Sequence, residues 1–285
     1  MTQHPAIQPG RVAVIMGAAS GIGLAAAKHF AGAGLRVCMA DAAAEQLTAA
    51  AAEVAALAPG RADSVLAATV DVSEIDAVQA FKDQVYARFG EVAVLMNNAG
   101  IGRGGGAWDR YDRWQRLMAV NLWGVINGVQ AFTEAMIAQG TDGAIINTGS
   151  KQGITNPPGD AAYNVTKAGI KSLTESLAHQ LRNVDGCRVS AHLLIPGFTY
   201  TGISAQRPEG KPPAAWTAEQ VVDEMLVGLG RGDFYILCPD NDVTRAMDEK
   251  RIQWAADDLI QNRPALSRWH ADYKDAFAAY MAGNG

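Results

Sequence analysis

Cysteine is scarce in this chain of 285 residues, which contains three, at Cys38, Cys187 and Cys238. They are far apart and odd in number, and none has a cysteine or histidine neighbour at metal-ligand spacing, so neither a disulfide framework nor a zinc site is expected. The five histidines show no metal spacing either. We therefore expect an ordinary hydrophobic core, a reducing compartment and no bound metal.

Long apolar runs and an excess of positive charge are absent as well. No stretch approaches the ~18 uninterrupted apolar residues of a membrane span, and residues 1–10 lack the cationic and apolar parts of a secretory signal. The 24 Lys and Arg are outnumbered by 29 Asp and Glu, which disfavours binding to the phosphate backbone of nucleic acids. The sequence predicts a cytoplasmic protein that binds neither membranes nor nucleic acids.

Aromatic residues make up only 7% of the chain, whereas glycine occurs 30 times, a balance that favours tight turns and close packing of helices on a sheet. Short β-branched runs alternate with longer helical segments. The runs predict buried parallel strands at Val12–Met16, Leu35–Ala40, Val65–Val70, Val92–Met96, Ala144–Asn147, Val189–Ile195 and Phe234–Cys238. The alternation predicts an α/β fold, a three-layer doubly wound parallel sheet of the Rossmann type with about seven strands.

The helical pattern divides the rest of the chain. Helices are predicted at Leu24–Ala33, Ala42–Ala58, Ser73–Phe89 and from Tyr163 to about Leu181, with Ser73 and Asp76 as a variant capping box. Residues 1–285 are predicted to form one domain. Within it, the proline-bearing segment 197–232 is expected to be a loop or lid with short helices. Residues 242–285 are expected to be a helical C-terminal extension, with helices Asp242–Gln261 and Ser267–Met281.

A glycine-rich turn follows the first predicted strand directly and opens a helix. Its glycines are Gly17, Gly21 and Gly23, and Gly21-Ile22-Gly23-x-x-Ala26 fits the dinucleotide fingerprint. Glycines at these places let the backbone turn sharply and approach a pyrophosphate, whose charge the helix N-terminus stabilises. The turn therefore predicts a dinucleotide site.

Asp41 ends the second predicted strand. A carboxylate there can accept hydrogen bonds from both adenosine ribose hydroxyls and would repel a 2′-phosphate. Alanines at positions 18, 19, 42 and 43 offer no cation to such a phosphate. Asp41 can also serve as the N-cap of the alanine-rich helix, alone or in addition. The position favours NAD over NADP.

Tyr163 and Lys167 are spaced i, i+4, so both side chains lie on one face of a helix. A nearby ammonium favours the phenolate and moves a tyrosine towards a useful acid–base range. Such a pair taken alone is usually an ordinary amphipathic pair. Here Ser150 lies upstream at the carboxyl end of the fifth strand, where ligands bind in these sheets, and this favours an active site.

Further motifs stand in order along the chain: Asp71-Val72, Asn97-Asn98-Ala99-Gly100, Asn121 in Val-Asn-Leu, and Pro196-Gly197-x-x-x-Thr201. Together with the glycine turn, Ser150 and Tyr163-x-x-x-Lys167, they resemble the short-chain dehydrogenase/reductase family over residues 10–202.

The resemblance implies a role for each matching residue. Tyr163 would exchange the proton with the substrate oxygen, Lys167 would lower its pKa and hold the nicotinamide ribose, and Ser150 would hydrogen-bond the reacting carbonyl or alcohol. Asn121 would sit at a helix irregularity and hold a water near Lys167. The implied cofactor-binding residues are Gly17, Ser20, Gly21, Ile22, Gly23, Asp41, Asp71, Val72, Asn98, Gly100, Tyr163, Lys167, Pro196, Thr199 and Thr201.

The resemblance implies an NAD-dependent enzyme that interconverts a secondary alcohol and a ketone, working in the oxidative direction. The alternatives are an NADP(H)-dependent carbonyl reductase and a catalytically silent nucleotide-binding protein. Phe198, Tyr200, Ile203 and Trp216 hint at a hydrophobic or cyclic small-molecule substrate. A homodimer or homotetramer is expected, with Trp108, Trp114 and Trp123 as interface or core residues.

The chain departs from the family pattern at three places. Met16 replaces the threonine that is usual before Gly17, which would cost a local hydrogen bond rather than cofactor binding. Lys151 follows Ser150, where a small apolar residue is usual, and it would point to solvent or meet an anionic substrate. The usual Val-Asp-Gly-Gly ending is missing, which puts the family's tetramer in doubt. In the extension that replaces it, the aromatic residues are expected to cover a core: Trp254, Trp269, Tyr273, Phe277 and Tyr280. Arg103, in a glycine-rich loop, could contact substrate.

Overall fold

The computed structural model describes residues 3–102, 104–201 and 210–283. Its strands lie within one or two residues of the predicted ones: β1 Val12–Met16, β2 Arg36–Asp41, β3 Val65–Thr69, β4 Val94–Asn97, β5 Gly143–Thr148, β6 Val189–Ile195 and β7 Tyr235–Leu237. They form one sheet in the order β3-β2-β1-β4-β5-β6-β7, and all neighbours are parallel. The predicted fold class is confirmed.

Helices connect the strands and cover both faces of the sheet. They are α1 Gly21–Gly32, α2 Ala44–Leu57, α3 Ile75–Phe89, α4 Tyr111–Leu117, α5 Gly124–Ala138, α6 Gln152–Thr155, α7 Ala161–Arg182, α8 Ala218–Arg231, α9 Arg245–Ile260 and α10 Lys274–Ala282. A π-helical turn, Met118–Trp123, joins α4 to α5. None of the helices in the described ranges has the length and apolar composition of a membrane span.

The strands β1, β2, β4, β5 and β6 supply buried residues to the cores on both faces because their side chains alternate between the two faces. The edge strand β3, predicted to be buried, is only partly buried because it has a neighbour on one side alone. On β1, Ala13 and Ile15 pack with α1, α2 and α8, whereas Val12, Val14 and Met16 pack with α3, α5 and α7. This explains why the strands read as continuous apolar runs. The chain order reverses on either side of β1 and β4, and the loops after these strands diverge to open a crevice at the carboxyl edge.

The predicted capping box at Ser73 and Asp76 is wrong. Helix α3 begins at Ile75 with Glu74 in the N-cap position. The Ser73 hydroxyl donates instead to Asp71 Oδ1 at 2.7 Å, and the Ser73 backbone N–H donates to the same oxygen at 3.0 Å. Asp71 and Ser73 form a local turn, because the carboxylate two residues upstream binds the serine hydroxyl that would otherwise cap the helix.

The expectation that residues 197–232 form a loop with short helices is wrong for residues 218–231. These residues form the full helix α8, which starts at a capping box between Thr217 and Gln220. Val221, Met225 and Leu229 are buried against the α1 side of the sheet, in the 3.6-residue period of an amphipathic helix. The prolines that precede this helix favoured a loop in the sequence prediction, although the apolar period of the helix is present. Ile203 and Pro208 lie outside the described residues, as does Arg103.

The C-terminal extension is helical, but its second predicted helix is broken. Two short 3-10 turns, Ser267–Trp269 and Ala271–Tyr273, precede α10. Trp254 of α9 is the centre of this part: its ring lies 5.2 Å from those of both Phe277 and Tyr280, and its indole donates to Ser267 Oγ at 2.8 Å. The helix is broken at His270, whose backbone is extended with φ −83° and ψ 136° and whose ring accepts from the Asp272 N–H at 3.2 Å. Trp254 is in a core as expected, whereas Trp269 is exposed.

Candidate active site

A cavity of about 1000 Å³ opens at the carboxyl edge of the sheet, where the chain order reverses. Fifteen of the predicted site residues line it: Gly17, Ser20, Gly21, Ile22, Asp41, Asp71, Val72, Asn98, Gly100, Ser150, Tyr163, Lys167, Pro196, Thr199 and Thr201. Gly23 and Asn121 do not line the cavity, but they contact residues that do: Gly23 lies against Gly17 and Asn98, and Asn121 binds the Ile101 backbone. Residues up to 184 positions apart in the sequence, Gly17 and Thr201, thus meet in one crevice because parallel strands end at the same edge.

The glycine turn is shaped so that its backbone forms the wall of the cavity. Gly17 and Gly21 have positive φ angles of 84° and 55°, a backbone conformation that residues with a side chain rarely adopt. A Cβ at Gly17 would lie 2.5 Å from the Ala99 Cα, and one at Gly23 would lie 2.0 Å from the Gly17 carbonyl oxygen. A side chain at either position would collide with this backbone, so the turn can keep its shape only with glycine there.

Asp41 ties the glycine turn to the end of β2. Its Oδ2 accepts a hydrogen bond from the Ala19 N–H at 3.0 Å, and its Oδ1 accepts one from the Ala43 N–H at 3.0 Å. Helix α2 has Ala43, not Asp41, at its N-cap position, so the helix-capping interpretation is wrong. Both carboxylate oxygens keep a lone pair for a further donor, and the residue lines the cavity.

Asn98 braces the glycine turn from the other side. Its side-chain N–H donates to the Gly17 carbonyl at 3.2 Å, and its Oδ1 accepts from the Thr148 hydroxyl at 3.2 Å. The residue therefore connects the ends of β1, β4 and β5. A role in shaping the cradle follows from these bonds.

Helix α7 carries Tyr163 and Lys167 to the cavity. Asp160 caps it and accepts from the Tyr163 backbone N–H at 3.2 Å. The Ser150 hydroxyl lies beside the Tyr163 phenol, where it acts to lower the pKa of the phenol, and its Oγ accepts from the Gln152 backbone N–H at 3.2 Å. Lys167 Nζ lies 5.5 Å from the centre of the Tyr163 ring and donates to the Thr148 carbonyl at 2.9 Å. Serine, tyrosine and lysine thus converge from β5 and one helix face.

The pKa values of the pair differ from the expectation that Lys167 lowers the pKa of Tyr163. Tyr163 as a residue is half-buried, but its hydroxyl lies deep among protein atoms. This burial raises the pKa of Tyr163 to about 12, against the lowering effect of the Ser150 hydrogen bond and with a further rise from the Asp160 carboxylate. Burial also lowers the pKa of Lys167 to about 8. In the free protein, loss of water outweighs the ammonium.

Asn121 occupies the predicted helix irregularity, the π-helical turn Met118–Trp123. Its side chain is fully buried and binds the Ile101 backbone twice, accepting from the N–H and donating to the carbonyl, both at 2.8 Å. Gly100 separates it from Lys167, since a Cβ there would lie 3.5 Å from Asn121 Oδ1 and 3.8 Å from Lys167 Nζ. Asn121 holds the loop after β4 beside the lysine.

Both interpretations of Lys151 are wrong. Its side chain is only 17% exposed, and its Nζ lies 2.6 Å from Asp248 Oδ2 and 3.4 Å from Asp240 Oδ2. The ammonium therefore points away from solvent into the C-terminal extension. Two carboxylates already neutralise it, so it is not free for an anionic substrate.

Sequence reasoning missed Asp160, Asp240 and Asp248. Asp160 had a detectable signal, because an aspartate directly before a helical run is a typical N-cap. It also accepts from the Gly104 N–H at 3.1 Å, which anchors the loop after β4. Asp240 and Asp248 had none, since their partner Lys151 lies 89 or more residues away in the chain.

The aromatic residues before α5 lie at the surface. Trp108 is 95% exposed and Trp123 is 54% exposed, so the core alternative is wrong for these two. Trp114 donates its indole N–H to the Gly106 carbonyl at 2.9 Å. An interface role for Trp108 and Trp123 stays a prediction.

Known proteins are similar to this chain in both sequence and fold. The sequence profile described as short chain dehydrogenase matches residues 11–212. A 1-deoxy-11-beta-hydroxypentalenate dehydrogenase from Streptomyces exfoliatus is 32% identical over 268 residues, 92% of this chain and 94% of that protein.

Two solved structures are similar as well. A short-chain dehydrogenase/reductase from Burkholderia phymatum in complex with NAD has a TM-score of 0.79 at 32% identity, covering 90% of this chain and 96% of that one. A metagenomic short-chain oxidoreductase in complex with NADP has a TM-score of 0.67 at 32% identity, covering 81% and 98%.

Proposed function

The chain belongs to the short-chain dehydrogenase family and is an oxidoreductase that acts on CH–OH groups. From this premise we propose that it uses NAD to interconvert a secondary alcohol and a ketone, with Tyr163 as the acid–base group. The observation that carries the proposal is the convergence of Ser150, Tyr163 and Lys167 on one cavity that also contains the glycine cradle.

The cavity fits a nicotinamide dinucleotide, which would supply the hydride acceptor or donor. The glycine turn at residues 17–23 would hold the pyrophosphate, since a Cβ at Gly17 or Gly23 would collide with the wall. Asp41 would receive the adenosine ribose, and Asp71 and Val72 would flank the adenine. Lys167, Pro196, Thr199 and Thr201 would hold the nicotinamide end.

Asp41 supports NAD rather than NADP. Its carboxylate is held in place by two backbone N–H groups, and a 2′-phosphate beside it would meet an uncompensated negative charge. Among the described lining residues, the cations are Arg116, Lys151 and Lys167. Arg116 acts on the carboxylate of Asp71, whereas Lys151 and Lys167 belong to the Ser150 end. The related structures hold NAD in one case and NADP in another.

The chemistry of the residues follows from their positions. In the reductive direction the Tyr163 hydroxyl gives its proton to the carbonyl oxygen; in the oxidative direction the phenolate takes the hydroxyl proton. Ser150 donates a hydrogen bond to the same substrate oxygen and orients it towards the tyrosine. Lys167 contributes positive charge at the phenol, which stabilises the phenolate that the oxidative step requires.

The substrate is proposed to be a hydrophobic or cyclic secondary alcohol. The Ser150 end of the cavity includes Ile101, Phe198 and Gln152 besides the catalytic groups. Apolar walls with a few placed polar groups are typical of small-molecule sites. A screen of NAD reduction over secondary alcohols, including steroid, terpene and aryl types, would identify the class.

The matched test of catalysis is Tyr163→Phe against Tyr111→Phe, whose ring is 76% exposed and outside the cavity. We expect Tyr163→Phe to abolish turnover while the Kd for NAD changes by less than about twofold, because the phenol oxygen moves the proton and the ring stays. Tyr111→Phe should keep normal turnover. Substantial activity in Tyr163→Phe would show that another group moves the proton.

We also propose that residues 1–285 act as one domain with an attached extension and that copies of it form a dimer or tetramer. Trp108 and Trp123, strongly exposed in the single chain, support the assembly. Large exposed aromatic residues are enriched in protein interfaces.

A further inference from the structure

Lys151 connects the loop that carries Ser150 to the C-terminal extension. It directly follows Ser150 at the end of β5, yet its ammonium ends between Asp240, after β7, and Asp248, on α9. Both carboxylates are almost inaccessible, with side-chain exposures of 7% and 6%. A largely inaccessible cation with two buried carboxylate partners holds a defined position, since moving it would leave the Asp240 carboxylate without this cation. Asp248 also has the Arg251 guanidinium 4.0 Å away.

Asp240 joins this ion pair to the loop after β6. Its Oδ2 accepts from the Phe198 backbone N–H at 3.3 Å as well as from Lys151. Its Oδ1 accepts from the Val243 N–H at 2.9 Å and the Asp242 N–H at 3.2 Å. One side chain thus fixes the turn before α9 and the Pro196–Thr199 loop, which is proposed to hold the nicotinamide.

The two loops also touch directly. The Lys151 backbone N–H donates to the Pro196 carbonyl at 3.3 Å. A Cβ at Gly197 would lie 2.7 Å from Asp240 Oδ2 and 2.8 Å from Lys151 Nζ. Because Gly197 has no side chain, the ion pair can lie directly against its backbone. This contact holds the loop of Ser150 and the loop of Phe198 in a fixed relative position.

Helix α9 reaches the same loop through apolar contacts. Ile252 of α9 and Ile154 of α6 both pack on the small core that contains Leu237 and Ile195. Asp248 lies one turn before Ile252 on α9, so the ion pair and the apolar contact act together. The extension is built onto the loop that positions Ser150.

We propose that Lys151 is a positioning residue: held by Asp240 and Asp248, it fixes the Ser150 loop against the Pro196–Thr199 loop, so that the C-terminal extension helps to set the geometry of the reaction. This inference rests on the proposed alcohol–ketone chemistry of Ser150 and Tyr163. Lys151 itself touches neither the substrate oxygen nor the proton that moves. Its effect is on the placement of its neighbour.

The test compares Lys151→Met, which keeps the length but not the charge, with Lys151→Arg, which keeps the charge. Turnover of the best alcohol from the substrate screen is measured with saturating NAD. We expect Lys151→Met to lower kcat by about tenfold to a hundredfold, as small misplacements of reacting groups do, with KM and the Kd for NAD changed less than about twofold. Lys151→Arg should recover most of the kcat. Asp248→Asn should lower kcat, and the double variant should be no slower than Lys151→Met alone.

The control is Glu249→Gln, which breaks the exposed Arg245–Glu249 pair on the same helix and should leave kcat unchanged. A readout independent of turnover is amide hydrogen exchange: residues 150–153 and 198 should exchange faster in Lys151→Met than in wild type or Glu249→Gln.

The outcomes separate the two hypotheses. A wild-type protein without turnover on any alcohol overturns the proposed function, while faster exchange at residues 150–153 and 198 still supports the positioning role. An active wild type with unchanged kcat in Lys151→Met overturns the positioning role. Equal losses of kcat, NAD affinity and thermal stability in Lys151→Met, without recovery in Lys151→Arg, also overturn it, because they describe general destabilisation.

Discussion

At the scale of single residues, the pKa of Tyr163 depends more on the burial of its phenol than on its spacing from Lys167. The spacing brings the ammonium to one side of the ring, 5.5 Å from its centre, but burial still raises the pKa of the phenol to about 12. The free protein therefore holds a protonated phenol and a lysine of lowered pKa at neutral pH. Such a pair is ready to give a proton to a carbonyl oxygen.

The two directions of the reaction should consequently differ in pH dependence. Ketone reduction needs the protonated phenol and charged Lys167, so its kcat/KM should be flat below about pH 8 and fall above it, where Lys167 loses its proton. Alcohol oxidation needs the phenolate together with charged Lys167, so its kcat/KM should rise by up to about tenfold per pH unit below about pH 8 and level off above it. Lys167→Arg, charged throughout, should remove the falling limb. Flat profiles in both directions from pH 6 to about 10 would contradict this assignment.

Asp41 is the residue on which the choice of cofactor depends. Asp41→Asn keeps the shape and one of the two acceptor oxygens, loses the acceptor for one of the two backbone N–H groups and removes the charge. Repulsion of a 2′-phosphate should therefore decrease. We expect the Kd for NADPH to fall and the Kd for NADH to rise by about tenfold, the cost of a charged hydrogen bond. Fluorescence titration measures both. Equal affinities of the wild type for NADH and NADPH would contradict the proposed preference.

At the scale of elements, α7 and the loops around it form the active site. Asp160 is the link: it caps α7 at the Tyr163 N–H and holds the Gly104 N–H of the loop after β4. Removing a cap normally costs about 1 kcal/mol of stability. Here it would also loosen the first turn, in which Tyr163 lies.

Asp160→Ala should therefore lose turnover as well as stability. Its control is Thr244→Ala, which removes the cap of α9, where the hydroxyl accepts from the Met247 N–H at 3.3 Å. Each variant should lower the unfolding free energy by about 1 kcal/mol, measured by urea denaturation, but only Asp160→Ala should lower kcat. The same kcat loss in both variants would show that stability alone is responsible.

At the scale of the whole molecule, the exposed aromatic residues before α5 predict an assembly. Light scattering should give a multiple of the 30.0 kDa chain mass. Trp123→Glu should reduce it to one chain, because a buried unpaired carboxylate is costly at an interface. Leu259→Glu, at a residue 87% exposed on α9, should leave the mass unchanged. A wild-type protein of one chain mass would contradict the proposed assembly.

Local patterns were sufficient for most of the fold. Continuous apolar runs predicted the strands because the inner strands of a parallel sheet are buried on both faces, as Val12–Met16 shows, whereas the edge strand β3 is only partly buried. Helix α8 was missed because the prolines at 208, 212 and 213 obscured the period of Val221, Met225 and Leu229. The capping box at Ser73 was wrong because Asp71 competes for the same hydroxyl.

The sheet, the glycine turn and the tyrosine–lysine pair can be predicted from sequence because each depends on residues that are close along the chain. The position of the Lys151 ammonium and the shift in the pKa of Tyr163 depend instead on how distant segments pack together. The partners Asp240 and Asp248 come from beyond β6 and reach Lys151 only after the sheet has formed. Desolvation likewise depends on every segment that surrounds the phenol, and no local spacing encodes it.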